Sequence, residues 1–198
     1  MIEAIFFDYA GVLAEPSASF IYKELIKRGK SFTLERFREA VINEECSIGD
    51  LGTIDRRLNT KYRDLDLTSS EIMDVVKNSR RYEETWDIVK SIQSKKYIVG
   101  LVSDQSAEAA RIIREQNKDI EVIFNPILFS AEVKLSKTRR DIFDSARESI
   151  KFSQDDASKI LMIDDREHVL ATVRGAGWNG LLYTNPKNLL DGLNLYGI

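Results

Sequence analysis

Five short apolar runs punctuate the chain: Ile5-Phe6-Phe7, Tyr97-Ile98-Val99-Gly100-Leu101-Val102, Val122-Ile123-Phe124, Ile160-Leu161-Met162-Ile163 and Gly180-Leu181-Leu182-Tyr183. They are rich in β-branched and aromatic residues and lack polar alternation, as strands covered on both faces do. Between the last four, apolar positions recur at helical spacing: Ala109 with Ile112 and Ile113, Phe143 with Ala146 and Ile150, Leu170 with Val173. Strands alternating with helices predict an α/β fold, a parallel sheet core flanked by helices.

Residues 16–85 break this alternation. Ile21 and Leu25 lie four apart, Leu34, Phe37 and Val41 follow i, i+3, i+7, and Ile54, Leu58 and Tyr62 repeat every four. Ile72, Val75 and Val76 share a further face, and Thr68 with Glu71 has capping-box spacing at its start. A helical block that interrupts an α/β core, after which the core resumes, predicts an inserted α-helical cap subdomain. The expected division is residues 1–15 and 86–198 for the core and 16–85 for the cap.

Composition narrows the function classes. With 198 residues, 43% hydrophobic and 31% charged, the chain has one domain's worth of core, with room for a modest insertion. Its 29 basic residues against 32 acidic ones leave a net charge of -3, without the basic excess that nucleic-acid binding uses. The only cysteine, Cys46, excludes an intramolecular disulfide and a cysteine zinc site. No run of about 18 apolar residues forms a membrane span. The start, Met-Ile-Glu-Ala-Ile, lacks a basic signal lead, so a cytoplasmic protein is expected. Oligomeric state has no signature in the sequence.

In parallel α/β sheets ligands bind beyond the carboxyl ends of the strands. Asp8 follows the first apolar run, Ser103 and Asp104 the second, and Asp164 and Asp165 the fourth. Lys137 lies in the connection before that fourth run. Any one of these acids could cap a helix or bend a turn. Three of them, Asp8, Asp164 and Asp165, gathered at one sheet edge would repel strongly unless a hard cation such as Mg²⁺ joined them.

The motifs resemble those of the haloacid dehalogenase (HAD) superfamily. Phe-Phe-Asp8-Tyr-Ala-Gly11-Val-Leu is similar to its first motif, Leu-Val-Ser103-Asp to its second, and Ser130-Ala-Glu-Val-Lys-Leu-Ser-Lys137 with Ile142-Phe143 to its third. Leu-Met-Ile-Asp164-Asp165, with Gly177 twelve residues on, is similar to its fourth. The order and the helical block after the first motif match one large branch, over residues 1 to about 185. The resemblance implies a Rossmann-like core, with Asp8 as nucleophile and Ser103, Asp104 and Lys137 as substrate-binding groups. It also implies Mg²⁺ held by Asp8, the Ala10 carbonyl, Asp165 and Asp164.

Such a site suits Mg²⁺-dependent hydrolysis of a small phosphorylated metabolite through an aspartyl-phosphate. Lys137 and the cation would offset the repulsion between an attacking carboxylate and a phosphate, with Ser103 holding a phosphoryl oxygen. The chain departs from the family pattern at Ala10, where a second aspartate usually acts as general acid and base, and at Val169, where an asparagine or aspartate usually supports the metal. Asp104 stands in place of a common asparagine, and Thr138 in place of a common proline. Glu15, shortly after the first strand, and His168, shortly after the fourth motif, are the candidate replacement acids, although both read first as exposed loop or helix-start residues. Two other readings follow: a non-catalytic or weakly active phosphate- or metabolite-binding protein, motivated by Ala10 and Val169, and a 2-haloacid dehalogenase, whose carbon–halogen attack needs no cation.

Overall fold

A computed structural model describes residues 1–15, 17–95 and 97–198. Strands β1 (Ala4–Phe7), β2 (Ile98–Ser103), β3 (Ile127–Phe129), β4 (Ile160–Asp164) and β5 (Asn179–Leu182) form one parallel sheet in the order β3-β2-β1-β4-β5. The chain steps outward from central β1 through β2 and β3, then returns to the other side of β1 with β4. Strand order therefore reverses beside β1, which opens a crevice at the carboxyl ends of β1 and β4.

Helices α1 (Ala18–Lys27), α2 (Leu34–Val41), α3 (Glu44–Ser47), α4 (Leu51–Thr60) and α5 (Ser69–Lys77) follow β1. Their apolar stripes meet one another: Ile21, Leu25, Phe37, Ile54, Leu58 and Val76 share one buried cluster. The Thr68 capping box forms, the Glu71 amide donating to Thr68 Oγ1 at 3.3 Å and the Thr68 amide to Glu71 Oε2 at 2.9 Å. The chain leaves and re-enters the sheet region at adjacent points. The Glu15 amide donates to the Arg80 carbonyl, and the Tyr82 amide to the Leu13 carbonyl, each at 2.9 Å. Pro16, where the sequence division begins the helical block, lies outside the described residues.

The remaining helices cover the sheet: α6 (Glu83–Ser94), α7 (Ala107–Gln116), α8 (Ile120–Ile123), α9 (Ser130–Val133), α10 (Asp141–Ser149), α11 (Glu167–Gly175) and α12 (Pro186–Leu195). Alternate residues of β1 face opposite layers, as the period of two demands. Ile5 and Phe7 join Trp86, Val89, Ile113 and Leu189, whereas Ala4 and Phe6 join Phe143, Ala146, Leu170 and Val173. Helix α6 is tied to this layer from its first turn, where Thr85 Oγ1 lies 2.8 Å from Tyr183 Oη and Trp86 Nε1 donates to the Leu13 carbonyl at 2.9 Å.

One expected strand is a helix. Val122-Ile123-Phe124 belongs to α8 and its end, and the strand that pairs with β2 comes later, at Ile127–Phe129. Ile120 and Ile123, three apart, are buried while Val122 is 75% exposed, so the burial follows a helical face. A three-residue apolar run is too short to distinguish the two periods.

Candidate active site

The carboxyl ends of β1, β2 and β4 bring four acids and two cations together. Asp8 directly follows β1, Ser103 ends β2, Asp164 ends β4, and Asp165 follows it. Asp8 Oδ1 accepts hydrogen bonds from the Tyr9 amide at 2.8 Å and Ser103 Oγ at 2.7 Å, and Lys137 Nζ is ion-paired with it at 2.8 Å. Lys137 Nζ also donates to Asp164 Oδ2 at 2.7 Å, and this lysine is fully buried. The loop carrying Lys137 is pinned by Asp104, whose Oδ1 accepts the Lys137 amide at 2.9 Å.

Oxygen atoms of Asp8, Asp164 and Asp165 lie within 4.8 Å of one another. The space exists because residue 11 is glycine: it adopts φ +86°, and a Cβ there would overlap the Asp165 carboxylate. Ala10 lies on the same turn and lines the cavity beside Asp8 and Asp165. Burial opposes ionisation of Asp8, but Lys137 and Arg166 and the bonds from Lys137 and Ser103 outweigh it and hold its pKa below the usual carboxylate range. Asp164 is shifted upward by burial and the Asp8 charge, against the pull of Lys137. Asp165, which among the described residues has no cation at hydrogen-bond distance, is pushed up to about 6 by burial first and then by Asp8 and Asp164.

Every predicted site residue thus reaches one place: Asp8, Ala10, Ser103, Asp104, Lys137, Asp164 and Asp165. Arg166 joins them without a motif of its own in the sequence. Its guanidinium lies 3.4 Å from Asp164, 3.6 Å from Asp8 and 3.9 Å from both Asp104 and Asp165. The only signal was its adjacency to the acid pair at the entrance to a helix, where an arginine ordinarily reads as a solvated charge. Gln105 likewise has no motif of its own; its Nε2 donates to Ser103 Oγ at 3.2 Å. Val169 is buried on the sheet side of α11 among apolar residues. Of the two replacement acids, exposed His168 lines the cavity, whereas Glu15 Oε2 accepts the Arg80 amide at 3.2 Å.

A cavity of about 600 Å³ opens from the acids toward the inserted helices. Its far wall includes Ile21, Phe37, Val41, Ile72, Met73 and Val76. The connection between α3 and α4 touches the sheet side through three successive carbonyls: Ser47 accepts from Ser130 Oγ at 2.7 Å, Ile48 from Lys134 Nζ at 2.9 Å and Gly49 from the Ala107 amide at 3.1 Å.

The reversed strand order and the carboxylate cluster at its crevice define a Rossmann-like α/β enzyme. The chain belongs to the haloacid dehalogenase-like hydrolase family, whose signature matches residues 2–177. No curated protein matches it in sequence. Among solved structures it is similar to a HAD family enzyme from Bacteroides thetaiotaomicron in complex with magnesium and inorganic phosphate, at 16% identity and a TM-score of 0.69, covering 93% of this chain and 95% of that one. It is also similar to a predicted HAD-like family hydrolase from Porphyromonas gingivalis, at 17% identity and a TM-score of 0.69, covering 99% and 98%. The L-2-haloacid dehalogenase from Xanthobacter autotrophicus, with chloropropionic acid covalently bound, is similar at 12% identity and a TM-score of 0.67, covering 96% and 81%. These likenesses carry the fold. Among the described residues no helix is long and apolar enough to cross a membrane.

Proposed function

We propose that this protein is a Mg²⁺-dependent phosphomonoester hydrolase acting on small phosphorylated metabolites. The observation that carries the reading is an unbalanced charge. Among the described residues, four carboxylates (Asp8, Asp104, Asp164 and Asp165) meet only Lys137 and Arg166, which leaves a formal charge two units negative, the deficit that one divalent ion fills. The donor set is all oxygen, as a hard cation requires, and three carboxylates already stand within reach of one another. Asp8, Asp165 and the Ala10 carbonyl would hold the ion, with Asp164 beside it. When bound, Mg²⁺ polarises the phosphoryl oxygens and offsets their charge.

The chain's own groups divide the remaining work. Hydrogen bonds from the Tyr9 amide and Ser103 Oγ, with the Lys137 ammonium beside them, fix the orientation of the Asp8 carboxylate, which attacks phosphorus. The new O–P bond forms as the ester P–O bond breaks, and water then hydrolyses the aspartyl-phosphate. Lys137 keeps Asp8 ionised and its ammonium faces the charge that develops in the transition state. Asp164 holds Lys137 in place. With alanine at position 10, protonation of the leaving group lacks its usual partner, so aryl and acyl phosphates are expected to turn over faster than alkyl ones by about 10²- to 10⁴-fold.

Helices α1–α5, within the expected cap of residues 16–85, serve as the cap in this reading, and their apolar wall selects the body of the substrate. A cytoplasmic setting, where phosphorylated metabolites and Mg²⁺ meet, fits it. The same fold houses haloacid dehalogenase chemistry, but displacement of halide from carbon gains nothing from surplus carboxylates. A phosphorylated-metabolite panel assayed with and without Mg²⁺ tests the proposal. Asp8→Asn is expected to lower turnover by about a thousandfold or more. Wild-type turnover by that variant, or halide release from 2-haloacids that EDTA leaves intact, would overturn the reading.

A further inference from the structure

The two cations of the site are held differently. Lys137 is fully buried and makes two short contacts, 2.8 Å to Asp8 and 2.7 Å to Asp164. Arg166 touches more acids, but hydrogen-bonds only Asp164 through its side chain, and that bond is long. Its Nε lies 3.4 Å from Asp164 Oδ1 and 3.9 Å from Asp165 Oδ1, and its Nη2 lies 3.6 Å from Asp8 Oδ2 and 3.9 Å from Asp104 Oδ2. A guanidinium committed to one carboxylate pairs with it through two short parallel bonds. Arg166 instead sits loosely among four, with 29% of its side chain exposed, on the wall of the cavity. It faces the Asp8 oxygen that the other donors leave free.

We propose that Arg166 is an exchangeable counter-cation. It neutralises the acid cluster while no metal is bound and gives up Asp8 and Asp165 when a divalent cation enters. The inference rests on the metal-binding reading above and adds that the chain sets its own cation affinity. Lys137 is unsuited to that role, because removing it would strand Asp8 and Asp164 in the interior. Arg166 can turn into the cavity without losing its anchor, since its backbone amide donates independently to Asp164 Oδ1 at 2.9 Å. Two cations competing for the same carboxylates repel at close range, so each weakens the binding of the other.

Calorimetric titration of the metal-free protein with Mg²⁺ alone tests this. Arg166→Gln is expected to bind Mg²⁺ at least about tenfold more tightly than wild type, the effect of removing one nearby positive charge. Its thermal midpoint is expected to fall below wild type without metal and to meet it in saturating Mg²⁺. Unchanged or weaker Mg²⁺ binding by Arg166→Gln, beside measurable binding by wild type, would overturn the exchange and leave the metal reading standing. Absence of binding by both proteins would remove the metal reading itself. A measurement on wild type covers a variant that fails to fold: the Arg166 Nε–H resonance, assigned by its disappearance in Arg166→Lys, is expected to shift as Mg²⁺ is added. A resonance that stays fixed through saturation would show that the guanidinium does not yield.

Discussion

Gly11 and Asp165 occupy one space between them. The glycine turns at φ +86°, and the carboxylate of Asp165 fills the volume where a Cβ would stand. Half-buried next to Asp8 and Asp164, Asp165 has its pKa pushed up to about 6. A proton bound there competes with a cation for the same oxygens, so Mg²⁺ affinity is expected to fall as pH drops through about 6, by about tenfold per unit below it. For the metal-free fold the sign is opposite. This group's contribution to stability is fully present below its unfolded value of 3.8 and is lost as pH rises through about 6. Calorimetric titrations with Mg²⁺ at pH 5, 6 and 7 check the first statement; equal affinities across that range would contradict it. At this scale most of the site was legible, since Asp8, Ser103 and the Asp164-Asp165 pair directly follow apolar runs, and Lys137 stands in the stretch similar to a third motif before the fourth run. Arg166 was not, because nothing local tells whether an arginine at a helix entrance turns outward or back over the acids.

Among the elements, the short helix α9 joins the two halves of the molecule. Ser130 at its start is fully buried. Its Oγ donates to the Ser47 carbonyl in the inserted helices and accepts the Gln105 amide at 2.9 Å in the loop after β2. Ser130→Ala strands both partners, and a loss of about 1–3 kcal/mol is expected on urea unfolding. A loss of only a few tenths would mean that water replaces the hydroxyl. Apolar stripes of two turns in α2 and α4 announced their helices, and shorter i, i+3 or i, i+4 pairs marked α1 and α5, because a 3.6-residue spacing differs from the period of two of a strand. The run at Val122 was too short for that, and tertiary burial of Ile120 and Ile123 decided it. Helix α7 carried a second subtlety. Its Ala109 and Ile112 pack with the inserted helices, while Ala110 and Ile113 pack on the sheet. One sequence stripe therefore served two partners.

Across the whole molecule, Lys137 ties together segments far apart in sequence, linking Asp8 after β1 to Asp164 at the end of β4. Lys137→Met leaves two buried carboxylates without their cation, and a loss of about 3–5 kcal/mol is expected in the metal-free protein. Thermal unfolding with and without Mg²⁺ measures it, and the ion is expected to restore part of the loss. A midpoint unchanged from wild type would show that these acids are neutral in the fold. Local periodicity suffices for the alternation of strands and helices, the interrupting helical block and the residues that follow the strands, because each depends on neighbours along the chain. Tertiary structure alone decided how the charges balance: which oxygen of Asp8 stays free, that Asp165 lies against Gly11, and that Arg166 leans over all four acids. Such distances depend on how the sheet reverses its strand order, and Coulomb interactions follow separation in space rather than in sequence.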